Sequence, residues 1–197
     1  MTTIVKKYDY AVYIGRFQPF HQGHLACVRE GLAIADKLII LVGSVNQPRS
    51  QKNPWNYKER HRMIRAALNQ KQQPIYITGV RDYNHDLHWA KAIKKAVNKI
   101  ANIGNESIAL IGHNRDASSY YLTRFPDWQL ESLPEYQNIS ATIIRNRLIK
   151  QGDIQSVTRP VADYIRHLGT NTFKALVNNT PTDKTYPDNM DGILDVA

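Results

Sequence analysis

Cysteine is nearly missing from this sequence: its 197 residues hold one, Cys27. A lone cysteine cannot close an intramolecular disulfide, which excludes a disulfide-stapled secreted scaffold and fits a reducing compartment. Acidic residues are also scarce, 17 against 26 Lys plus Arg, for a net charge of +9 with histidine neutral and a pI of about 9.6. That excess favours an anionic partner, but charge alone does not choose among nucleic acid, an anionic membrane surface and a phosphorylated small molecule. No apolar run approaches the roughly 20 residues that span a bilayer. The N-terminus lacks the basic, apolar, small-residue order of a signal peptide. A cytoplasmic chain with no membrane partner is the expectation. No internal repeat or low-complexity block is present, and 42% hydrophobic with 22% charged residues describes one ordinary globular domain.

What is present is an alternation. Short β-branched or aromatic runs take turns with segments of helical period, the pattern of βαβ units around a parallel sheet. Strands are expected at Tyr10–Ile14, Lys37–Val45, Ile75–Val80, Ser107–Gly112 and Trp128–Leu133. Helices are expected at His24–Ala35, Tyr57–Leu68, Leu87–Ala101 and Ser140–Gln151, the last ending at Gly152, a residue type favoured just past a helix C-terminus. Ser118–Leu122, Val161–Leu168 and Thr172–Val177 read as shorter helices. Residues 46–56 form a long polar loop with two prolines, the kind of loop that often carries function. The fold class is α/β, a Rossmann-like, doubly wound, parallel five-stranded sheet with C-terminal helices. Residues 1–178 make up the domain, and 179–197, rich in Pro, Asn, Asp and Thr, a flexible tail.

The residues that carry chemistry concentrate in Gly15-Arg16-Phe17-Gln18-Pro19-Phe20-His21-Gln22-Gly23-His24, between the first strand and the first helix. In an open parallel sheet a ligand sits beyond the carboxyl ends of the strands, where a helix N-terminus offers unpaired N–H groups and the positive end of its dipole. Gly15 and Gly23 let a phosphate approach the backbone. His21 and His24, three apart, project to one side and can donate to the same anionic group.

This string resembles the HxGH signature of the nucleotidyltransferase superfamily, in the form used by nicotinamide-nucleotide adenylyltransferases. Ile139-Ser140-Ala141-Thr142-Ile143-Ile144-Arg145 is similar to the second signature, ISxTxxR. Gly112-His113-Asn114-Arg115-Asp116 and the residues after it look like a segment of the subgroup fused to a Nudix hydrolase. Lys52-Asn53-Pro54-Trp55 with Tyr57-Lys58-Glu59-Arg60, and Val80-Arg81-Asp82-Tyr83 with Trp89, resemble segments on the nicotinamide side. No stretch matches the Nudix box GxxxxxExxxxxxxEExG, so that second activity is expected to be missing from this chain.

The resemblance implies adenylyl transfer from ATP to nicotinamide mononucleotide, giving NAD and pyrophosphate. His21, His24, Arg16 and Arg145 would be catalytic. Gly15, Phe17, Gly23, Gly112, Asn114, Asp116, Ile139, Ser140 and Thr142 would hold ATP. Lys52, Asn53, Pro54, Trp55, Asp82, Tyr83 and Trp89 would hold the mononucleotide, Trp89 either stacking on the pyridinium or filling the core; which of Asn84, His85 and Asp86 touches substrate stays open. Mg2+ would arrive with ATP, with no dedicated protein metal site. The partners are then small molecules and not nucleic acid, and a homo-oligomer is compatible with the sequence. The alternatives are another phosphorylated acceptor such as nicotinic acid mononucleotide, or a non-catalytic nucleotide or nucleic-acid binder.

Overall fold

The computed structural model describes residues 6–68, 74–101, 104–112, 124–134, 136, 139–168 and 195–196. Their elements run β1 (Tyr8–Gly15), α1 (Gln22–Ile34), β2 (Ala35–Val42), α2 (Tyr57–Ala67), β3 (Ile75–Gly79), α3 (Asp86–Ala101), β4 (Ile108–Gly112), β5 (Gln129–Ser132), α4 (Ala141–Gln151), α5 (Arg159–Leu168) and β6 (Asp195–Val196). The sheet order is β5-β4-β1-β2-β3-β6. The five strands expected from the sequence all pair in parallel, and the sheet matches the expected doubly wound fold. The expected helices at Ser118–Leu122 and Thr172–Val177 lie outside the described residues. So does the expected tail, apart from β6, which pairs antiparallel with β3 at Tyr76 and Ile77. An edge strand offers a row of unpaired backbone groups, which a short antiparallel strand can take up without a crossover.

The central strands β1, β2 and β4 read as almost continuous apolar runs because both of their faces are covered. On one face Ala11, Tyr13, Leu38 and Ile40 pack with α1, α2, α4 and α5. On the other, Tyr10, Val12, Ile39 and Leu41 pack with Ile93 and Val97 of α3 and with Phe125. Gly31 is where α1 comes closest to the sheet: a Cβ there would stand 2.6 Å from Ile111. α4 has the caps its sequence predicts. Ser140 Oγ accepts the Ile143 N–H, and Gly152 closes the helix at φ 68°, a left-handed conformation that suits glycine.

Chain order sets the site. β1, β2 and β3 progress in one direction across the sheet while β4 and β5 lie on the other side of β1. The reversal falls between β1 and β4, and in such sheets ligands bind outside the strands' carboxyl ends.

Candidate active site

The loop after β1 is built around aromatic packing and an interlocked pair of histidines. Phe17 sits at φ 52°, a conformation costly for a non-glycine residue. It is held there by edge-on contacts of its buried ring with Tyr13 at 5.3 Å and His24 at 4.9 Å. Gly15 makes room for that ring: a Cβ at Gly15 would lie 2.9 Å from it. The peptide bond between Gln18 and Pro19 is cis.

His21 is the N-cap of α1. Its Nδ1 accepts the His24 N–H at 3.3 Å, while His24 Nδ1 accepts the His21 N–H at 3.2 Å. The two imidazoles stack, with centroids 3.6 Å apart. Because each Nδ1 is an acceptor, each neutral ring carries its proton on Nε2, so both rings are hydrogen-bond donors at the helix N-terminus. Gly23 keeps them in register, since a Cβ there would stand 3.1 Å from the His21 ring. The spacing predicted two donors side by side; the reciprocal cap between N-cap and N3 fixes their tautomers.

Arg145, at the second turn of α4, reaches back under this loop and is 6% exposed. It donates to Gln18 O at 2.7 Å, to Gln51 O at 3.0 Å and to Thr142 Oγ1 at 3.1 Å. No carboxylate of the described residues neutralises it. Burial, and then the charge of Arg16, push its pKa down to about 10. A guanidinium has five N–H donors, so Arg145 ties two loops to α4 with three of them.

A cleft of about 450 Å³ opens over the ends of β1, β2 and β3, and six sequence-predicted residues line it: Gly15, Arg16, Lys52, Asp82, Tyr83 and Trp89. Trp89 packs edge-on against Phe125 at 5.9 Å and lines the cleft. Of the three residues left open by the sequence, Asp86 reaches the cleft. Gly112 ends β4, and the buried Ile139 precedes the cap of α4. Asn114 and Asp116 lie outside the described residues. Asn53 lies beside the cleft loop with its Oδ1 buried and unbonded among the described residues. Phe17 and Trp55 stand in the core, each 1% exposed. The backbone of Trp55 exchanges two bonds with the Gln18 side chain, at 2.8 and 3.0 Å, fastening the Lys52–Trp55 loop to the histidine loop. Pro54 is buried as well, and its carbonyl accepts from Arg49, which pairs with Glu59 at 2.8 Å.

Two residues of the site were absent from the sequence-stated candidates. Ser44, at φ 54° just past β2, donates to Asp82 Oδ1 at 3.0 Å, while Asn46 accepts the Asp82 N–H at 2.8 Å. Arg60, 1% exposed, donates to the carbonyls of Arg16 and Gly43, each at 2.7 Å, and of Ser44 at 3.2 Å. It thus closes the floor of the cleft from below. The signal for Arg60 was there: with Tyr57 and Ile64 it occupies one stripe of α2, a charge on an apolar face.

Residues 12–147 match the cytidylyltransferase-like family. The chain belongs to that family. Among its relatives, the nicotinamide/nicotinic acid mononucleotide adenylyltransferase of Acinetobacter baylyi is 40% identical over 154 residues, 76% of this chain and 80% of that protein. The nicotinamide-nucleotide adenylyltransferase of Thermococcus sibiricus is 29% identical over 85% of this chain and 89% of that protein. The crystal structure of a bifunctional NMN adenylyltransferase/ADP ribose pyrophosphatase from Francisella tularensis, complexed with AMP and a manganese ion, superimposes with a TM-score of 0.75 at 32% identity over 87% of this chain. This cytidylyltransferase-like chain spans about half of that protein, 52% of its length.

Proposed function

We infer that this chain is a nicotinamide-nucleotide adenylyltransferase: it transfers AMP from ATP to nicotinamide mononucleotide and releases NAD and pyrophosphate. The observation that carries the reading is Arg145. A buried guanidinium whose hydrogen-bond partners are two carbonyls and a hydroxyl, beside a second arginine and a pair of Nε2–H imidazoles at a helix N-terminus, is a site short of negative charge, and a triphosphate supplies it.

In the reaction a 5′-phosphate oxygen of the mononucleotide attacks the α-phosphorus of ATP in line. The new O–Pα bond forms as the bond from Pα to the bridging oxygen breaks, and that oxygen leaves with pyrophosphate. No protein nucleophile is required, so catalysis rests on positioning and on donors aimed at the developing charge. His24 serves the α-phosphate. His21 and Arg16 serve the triphosphate, and Arg145 with Ser140 and Thr142 the β- and γ-phosphates. Gly15 and Gly23 let the phosphates approach the backbone. Gly112, Ile139, Asn114 and Asp116 frame the adenosine. Lys52, Asn53, Asp82, Tyr83 and Trp89 form the acceptor end, with Phe17, Pro54 and Trp55 shaping it from the core.

Among the described residues no three His, Cys, Asp or Glu side chains converge on one point. The metal of this reading is Mg2+, entering as part of the substrate on ATP oxygens and water; the Francisella tularensis structure carries a manganese ion with AMP. No helix of the described residues is long and apolar enough to cross a membrane, and we assign a cytoplasmic setting and small-molecule partners. Residues 1–178 form the catalytic domain in this reading.

The test is a coupled dehydrogenase assay for NAD with Mg-ATP and nicotinamide mononucleotide, run beside His24→Ala, with pyrophosphate release measured for nicotinamide and nicotinic acid mononucleotide alike. NAD formation that collapses in the variant supports the assignment. A folded chain inactive with both acceptors overturns it.

A further inference from the structure

Outside the cleft, a cavity of about 320 Å³ lies between the end of β3 and one face of α3. Arg81, His88, Lys91, Lys95 and Lys99 stand in its walls, and among the described residues no carboxylate does. Lys91, Lys95 and Lys99 are four residues apart, so they form one stripe that runs about 12 Å along α3. Like charges at that spacing repel. Lys94, one position off the stripe, shows the alternative: it turns away and pairs with Asp127 at 2.5 Å. Arg81, Lys91 and Lys95 form no ion pair with any described residue.

A lysine face kept only for solubility would be convex. This one rims a concavity whose apolar lining includes Val80, Ala92 and Ala96, and the volume is within the range of small-molecule sites, about 300–1,000 Å³. We propose that this cavity is a second anion site, which takes a phosphate-bearing small molecule of nucleotide size. Its polyphosphate lies along the Lys91–Lys95–Lys99 stripe and its apolar portion rests between α3 and the end of β3. A half-open pocket with one short lysine stripe suits a small ligand better than a nucleic acid, which needs a longer cationic track.

The site adjoins the cleft. Tyr83 lines both cavities, and Asp82, between Arg81 and Tyr83, is bonded to Ser44 and Asn46. A ligand here therefore bears on the acceptor end of the cleft. The proposal stands on this cavity's own residues and does not depend on the reaction assigned above.

The test is isothermal titration calorimetry of the full chain with inorganic tripolyphosphate, using wild type, Lys91→Ala/Lys95→Ala and His21→Ala/His24→Ala. Alanine favours helix, so the lysine variant keeps α3. The expected result is a binding event that survives in the histidine variant and weakens at least tenfold in the lysine variant, while NAD formation without tripolyphosphate stays within twofold of wild type. Absence of binding in the histidine variant, or equal binding by wild type and the lysine variant, overturns the proposal. So does a single-stranded oligonucleotide that binds wild type more tightly than tripolyphosphate and is lost with the lysines, which would reassign the groove to nucleic acid.

Discussion

Around His21 and His24, at the N-terminus of α1, side chains are fixed by backbone bonds: each imidazole takes an N–H of the other residue, and Arg145 spends two donors on carbonyls. At the Asp82–Trp89 end, Tyr83 is 41% exposed, and Asp82 is held by two side chains of the β2–α2 loop, Ser44 and Asn46. The contrast follows the chemistry each end is assigned. Donors that stabilise transition-state charge work by not having to reorganise, so rigidity there lowers the barrier directly. A surface that recognises a planar ring can adapt on binding and still contribute its stacking energy.

The largest effect that would break this comparison is on the rigid side. His24→Ala should cut kcat by about 10²–10³, the loss of one preorganised donor, with a small change in KM; a raised KM with kcat unchanged would place His24 in ground-state binding. Arg60→Leu, which strands the carbonyls of Arg16, Gly43 and Ser44, should cost about 3 kcal/mol of stability at roughly 1–3 kcal/mol per unmatched buried group. Urea unfolding measures it, and an unchanged midpoint would show that the cleft floor does not need that tie.

Gly23→Ala sharpens the same point with one methyl group. Its Cβ would press on the His21 ring, and overpacking of about 1–3 kcal/mol should appear mainly in kcat. At the adaptable end, Ser44→Ala removes one bond to Asp82 and should raise KM for the mononucleotide by about fivefold, near 1 kcal/mol, with kcat held.

The smallest effect is a control at neither end. Asp9, hydrogen-bonded by the Ser107 hydroxyl and N–H, and Glu131, bonded by Lys7 and Tyr8, are both held below the usual carboxylate range. Their folded pKa values lie below the unfolded ones. The stability they add is therefore present above about pH 4 and fades as pH falls through the lowered values. Both groups are on the sheet's amino-terminal and edge positions, so mild acid should lower the unfolding midpoint slightly without altering the relative effects of the cleft variants.

Much of this site was legible before any coordinates. The strand-loop-helix order placed His21 and His24 at a helix start, Ser140 and Gly152 bounded α4 at the residues where the helix begins and ends, and Lys52, Asp82, Tyr83 and Trp89 reached one cleft. Trp55 was less transparent. A loop tryptophan in a polar stretch reads as a ligand contact, but its apolar ring fills the core and its backbone binds Gln18. Ser44 could not be singled out, because its importance comes from Asp82, 38 residues away.

The sequence by itself determined the alternation of strands and helices, their caps and the motif residues, because periodicity, capping and turn chemistry act over a few neighbouring positions. Tertiary structure alone decided that Arg145 and Arg60 are tethers of separate loops and that Lys91 and Lys95 rim a cavity while Lys94 does not. Those outcomes depend on which carbonyls, rings and charges the parallel sheet brings together from distant parts of the chain, and no local pattern encodes that pairing.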